Sequence, residues 1–134
     1  MKVKTDLVKI IEVLPHVTFE LERKEALIIK SKKTNSSIRI AFWKREHTVF
    51  FKDWHWHFSN NNEENVYMIE TILDIIQNRT RMKEKIINGK SKGNTLEFQT
   101  KNGEFGSQLK TEIISFIFLG RKKVTRYKYY NIDF

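Results

Sequence analysis

The chain contains no cysteine, which excludes disulfides, thiolate metal sites and thiol nucleophiles. It has a single proline, Pro15, and only five scattered glycines. Glycine this sparse makes a phosphate-cradling loop unexpected, and no P-loop, GxGxxG, HExxH or GxSxG pattern occurs. No long apolar run is present either. Met1-Lys2-Val3-Lys4-Thr5-Asp6 leads into an apolar segment of a few residues, interrupted by Lys9 and Glu12. That is neither a signal peptide nor a membrane span, so a cytoplasmic protein without a membrane partner is expected. There is no internal repeat, low-complexity segment or linker. With 134 residues, a single domain over 1–134 is expected, large enough to bury a core unaided.

Charge is unevenly placed. Residues 1–78 carry 12 Lys and Arg against 11 Asp and Glu, whereas residues 79–134 carry 13 against 5. A basic half of this kind suits nucleic acid, an anionic surface or an acidic protein partner. Lysine outnumbers arginine 18 to 7, which disfavours bidentate phosphate recognition and also fits the codon bias of an AT-rich genome.

Apolar periodicity sets out the elements. Leu7, Ile10, Ile11 and Leu14 recur at helical spacing between Thr5 and Leu14, with Thr5 or Asp6 as cap and Pro15 at the end. His16 to Glu22, Ala26 to Lys30, Ser37 to Trp43 and His47 to Phe51 read as short antiparallel strands, the last running on into Lys52-Asp53-Trp54-His55-Trp56-His57-Phe58. Asparagines at 60–62 and Glu63-Glu64 then open a helix to about Gln77, with an apolar stripe of Val66, Ile69, Ile72, Leu73 and Ile76 and with Met68 and Ile75 at its edges. Further strands are expected over Arg79 to Ile87, Asn94 to Thr100, Glu112 to Leu119 and Val124 to Ile132. Asn88-Gly89, Lys101-Asn102-Gly103 and the basic stretch Gly120-Arg121-Lys122-Lys123 mark the turns.

The chemically densest stretch is Lys52 to Phe58. Read as a strand, it places Trp54, Trp56 and Phe58 on one face and Asp53, His55 and His57 on the other. Two imidazoles at i and i+2 with a nearby carboxylate can ligate a divalent metal, and His47 is a candidate third ligand. The same groups can act as acid or base near neutral pH, or serve as hydrogen-bonding surface residues with no further role. Arg79, Arg81, Lys83 and Lys85 share a second face, and four like charges there must be solvated or meet an anion. Tyr127 and Tyr129 share a face of the last strand with Arg121 and Lys123 upstream. Cations beside aromatics can hold single-stranded nucleic acid, although tyrosine on an outer strand commonly packs its ring and wets its hydroxyl.

The motif at Asp53-Trp54-His55-Trp56-His57-Phe58, followed by the acidic-capped helix from Glu63 to Gln77, resembles a set of small uncharacterised bacterial proteins. These carry W-H-x-H-F at a strand end, then an acidic loop and a helix, then basic strands, and some look like immunity proteins of toxin systems between bacteria. The resemblance implies an α+β domain without established enzymatic activity, and it assigns no residue a role.

The expected fold is α+β: a mainly antiparallel sheet of about seven or eight strands, one long helix packed across it and a short N-terminal helix. A barrel-like closure is the alternative. The expected function is non-enzymatic binding, of the immunity or anti-toxin type, to an acidic protein partner. Trp54, Asp53, His55, His57, Arg79, Arg81, Lys83, Tyr127 and Tyr129 are the candidate binding residues. The alternatives are a divalent metal site or metal-dependent enzyme at Asp53, His55 and His57, and non-specific nucleic-acid binding by the basic C-terminal strands. No cofactor is required by the leading reading, and either a monomer or a homodimer is compatible with it.

Overall fold

The computed structural model describes residues 2–99, 103–112 and 125–134. Among these the chain is α+β, with two helices and nine strands in two antiparallel sheets. They form two compact units, Met1–Asn78 with Asp133–Phe134, and Arg79–Ile132. Five strands and four strands in separate sheets replace the expected single sheet of seven or eight. Residues 101 and 102 of one expected turn, the apolar stretch 113–119 and the basic turn 120–123 lie outside the described residues.

In the first unit, α1 (Lys2–Glu12) is followed by the strands β1 (Val17–Glu22), β2 (Ala26–Ser31), β3 (Ser37–Phe42), β4 (Glu46–Phe51) and β5 (Trp54–Ser59). The strands form an antiparallel meander in chain order, each turning back on the one before. Alternation sends Leu27, Ile29, Ile38, Ile40, Val49, Phe51, Trp54 and Phe58 into the core. Helix α1 adds Val3, Leu7 and Ile11 to the unit's buried residues, a narrower stripe than the expected one, with Ile10 and Leu14 half-buried. The Lys4 ammonium donates to the Lys24 carbonyl at 2.6 Å.

Helix α2 (Asn62–Ile76) begins at Asn61, whose side-chain oxygen accepts the Glu64 N–H at 2.8 Å, with Glu63 and Glu64 at the positive end of the dipole. The buried stripe of α2 is rotated from the expected one. Met68, Thr71, Ile72 and Ile75 are buried, and Val66 is exposed. Thr71 tolerates burial because its hydroxyl donates to the Tyr67 carbonyl at 2.9 Å, one turn back. Contacts from α2 go to β5. Asn78, in the left-handed region, accepts the Phe134 N–H at 2.7 Å, and Phe134 is buried with its ring 6.2 Å from that of Phe51.

The second unit contains β6 (Thr80–Ile87), β7 (Lys90–Gln99), β8 (Phe105–Glu112) and β9 (Thr125–Asn131), ordered β8-β7-β6-β9. Asn88-Gly89 makes the β6–β7 turn, both residues with positive φ, as that dipeptide favours. Bulges between Lys85 and Ile86 and between Leu96 and Glu97 shift the register. One face buries Thr80, Met82, Leu96 and Phe98. Toward the other end of that face, the Tyr130 hydroxyl and the Ser91 hydroxyl both donate to the Glu84 carboxylate, at 3.1 and 2.9 Å. No helix among the described residues is long and apolar enough to cross a membrane.

Candidate functional site

The stretch Lys52 to Phe58 is not one strand. Phe51 pairs with Trp54 across a two-residue turn at Lys52-Asp53, with Lys52 in the left-handed region at φ 51°. Asp53 therefore sits in the turn and not on the strand face with the histidines. The turn also changes which residues face together. Cross-strand partners share a face, so His47, opposite Phe58, joins the core and not His55 and His57. His47 is 0% exposed, its ring 5.3 Å from that of Phe42. The proposal of His47 as a third metal ligand on the outer face is thereby corrected.

Around His55 and His57 the outer face of the first sheet carries a chain of contacts. Arg39 pairs with Glu22 at 2.8 Å and lies 5.7 Å from the Phe50 ring centre. Phe50 stacks on His55 at 5.9 Å, and His55 meets the edge of His57 at 5.4 Å. His57 Nδ1 is 2.9 Å from the Thr48 hydroxyl and 3.5 Å from the Glu46 carboxylate. Among the described residues no group of three His, Cys, Asp or Glu side chains is arranged to hold a metal ion. Trp54 is 1% exposed and is a core residue on the opposite face.

Burial without a good hydrogen bond has a consequence for His47. Neither of its ring nitrogens has a hydrogen-bond partner among the described residues, and burial holds its pKa below the ordinary imidazole value. The nearby side chain of Asn60 acts in the opposite direction and is the smaller of the two effects. The folded state therefore keeps the ring neutral while the unfolded chain takes up a proton below about pH 6.5. Stability contributed by neutral His47 is present above that pH and is lost as pH falls toward the lowered folded value. Urea unfolding between pH 7.5 and 5 is expected to show this loss, and His47→Leu is expected to flatten it; an equal pH slope in the variant would exclude His47 as its source.

The second sheet builds a different surface. On β6, Arg81, Lys83 and Lys85 alternate away from buried Thr80 and Met82. On β9, Tyr127 and Tyr129 are opposite Lys85 and Lys83. The pairing is staggered. The Arg81 guanidinium lies 4.3 Å from the Tyr129 ring centre, and the Lys83 ammonium 4.3 Å from that of Tyr127. From β8, Phe105 covers Arg81 at the same distance, 4.3 Å. Arg81 also donates to the Glu97 carboxylate at 2.8 Å. Tyr127 and Tyr129 remain 50% and 49% exposed.

Four of the candidates named from the sequence, Arg81, Lys83, Tyr127 and Tyr129, thus meet on one face. Arg79 precedes β6 and is exposed, its carbonyl accepting the Gln99 N–H at 2.8 Å. Glu97 and Phe105 were not anticipated. The placement of Leu96 and Phe98 on the inward face already put Glu97 on the outward one, whereas Phe105 follows a turn signal in a stretch with no alternation. Against protein-family models, curated proteins and solved structures, the chain has no match.

Proposed function

We propose that this chain is a non-enzymatic binding protein that takes an anionic macromolecule on the face formed by Arg81, Lys83, Lys85, Tyr127 and Tyr129. The observation that carries the reading is the alternation of cations with half-exposed rings along two neighbouring strands. A ring holds a cation in place without neutralising it, so the charge of Lys83 over Tyr127 is available to an anion, whereas that of Arg81 is met by Glu97. The net charge of +9 speeds the approach of such a partner, and the effect weakens with salt. An acidic protein, as in an immunity-type role, and a nucleic acid both meet this charge requirement.

Chromatography on immobilised heparin tests the reading. The variant Lys83→Gln with Lys85→Gln is expected to elute at distinctly lower salt than the parent. A control with the same loss of charge in the other unit, Lys9→Gln with Lys44→Gln, is expected to shift much less. Equal shifts would mean that net charge alone drives retention and would refute the face as the binding surface.

A further inference from the structure

We infer that the partner on this face is a single-stranded nucleic acid, whose bases stack on Tyr127 and Tyr129 while its phosphates meet Lys83 and Lys85. The inference rests on the anion-binding reading of the same face and adds the partner's chemical class. Cations would serve any polyanion. The rings discriminate among polyanions.

A single strand repeats one phosphate and one flat base per nucleotide, and the face repeats one cation and one ring. Tyr127 and Tyr129 are two residues apart on β9, so their rings stand about 7 Å from each other on one side of the sheet. Single-stranded bases, free of pairing, can splay to follow such a spacing and lie flat on a ring. A duplex hides its base faces in its own stack and offers only phosphate. An acidic peptide offers carboxylates, for which exposed tyrosine faces have little use. Each tyrosine keeps about half of its surface exposed although a cation lies over one side of its ring. Glu97 cancels the charge of Arg81, so the net positive charge of the face comes from Lys83 and Lys85. Lysine in place of arginine suits this partner: an ammonium is a point charge that accepts phosphate in many orientations and reads no base.

The test is fluorescence anisotropy with the whole chain and four dye-labelled probes: oligo(dT), oligo(U), a duplex of equal length and polyglutamate. Oligonucleotides of about 20 nucleotides exceed the usual site of one small β domain. The single strands are expected to bind more tightly than the duplex or polyglutamate. Tyr127→Ala and Tyr129→Ala are each expected to weaken single-strand binding roughly 5- to 150-fold, the range for loss of one base–aromatic stack. Tyr127→Phe and Tyr129→Phe keep the ring and are expected to keep the affinity, so a folding defect in the alanine variants does not leave the question open. Lys83→Gln is expected to reduce the slope of log affinity against log salt by about 0.7.

Tightest binding to polyglutamate would overturn the inference in favour of an acidic protein partner. Equal affinity for duplex and single strand, or unchanged affinity in the alanine variants, would overturn it in favour of simple charge attraction. In each of these cases the heparin shift of the lysine variant persists. Loss of that shift would instead remove the anion-binding reading itself.

Discussion

Replacing Trp54 with alanine is expected to destabilise the first unit by about 3–5 kcal/mol, the usual cost of truncating a large buried aromatic. Trp54 is 1% exposed and opposite Phe51, which is equally buried. Deleting the indole removes its transfer free energy and leaves a void between strands whose backbones are held by the β4–β5 ladder. Collapse into that void would have to break register, so little of the cost is recovered. The indole N–H has no hydrogen-bond partner among the described residues, which already costs the fold something. Trp54→Phe removes that orphan donor along with part of the volume and is expected to cost much less than the alanine change. Urea unfolding followed by tryptophan emission checks both, because Trp43 and Trp56 remain as reporters in the same unit. A loss below about 1 kcal/mol in Trp54→Ala would return Trp54 to the candidate surface residues.

The opposite faces of Trp54 and His55 are legible because strand alternation is local, but the sequence reading still counts Trp54 among the binding candidates, which its burial corrects. Neighbours on an extended chain point to opposite faces whatever lies far away, so the aromatic and polar sides of Trp54–Phe58 could be told apart from the residues alone. The position of His47 could not. Its face depends on whether the chain continues or turns back at Lys52-Asp53, and neither residue carries the glycine or asparagine that marks a tight hairpin. A lysine with φ of 51° in that turn is unfavourable by itself and is imposed by the pairing on both sides. The stripe of α2 failed for a related reason: Thr71 looks polar in sequence, but its hydroxyl is satisfied within the helix and its methyl can be buried. Strand β8 escaped notice because Phe105-Gly106-Ser107-Gln108 has no apolar alternation, and only pairing with β7 makes it a strand. On the second sheet the basic and tyrosine faces were each readable. Their meeting was not, because it depends on β9 pairing with β6, about forty residues away in sequence.

Arg81 and Lys83 share a face but are expected to respond to substitution in different ways. Arg81 is clamped by two rings and a carboxylate, and its side chain is 29% exposed while that of Glu97 is 8% exposed. Arg81→Ala leaves a nearly buried carboxylate without its counter-charge and uncovers Phe105 and Tyr129 together. Loss of one partner from a fully buried pair costs about 3–5 kcal/mol, and the remaining exposure of Arg81 lowers the expected figure to about 2–3 kcal/mol. Amide hydrogen exchange in β6 and β9 measures it within the second unit. The double variant Arg81→Ala with Glu97→Ala is expected to lose less than the sum of the two single variants, because no orphan carboxylate remains. Lys83 lies over one ring, that of Tyr127. Lys83→Gln is accordingly expected to change stability by no more than about 0.5 kcal/mol while lowering affinity for a polyanion. If Arg81→Ala were as mild as Lys83→Gln in hydrogen exchange, the clamp would not hold the face, and Arg81 would rank with Lys83 as a contact residue. If the two differ as expected, Arg81 sets the spacing of the rings and Lys83 meets the partner's charge. Arg81→Lys would then lose stability as well, since an ammonium cannot lie flat between two rings and still donate to Glu97.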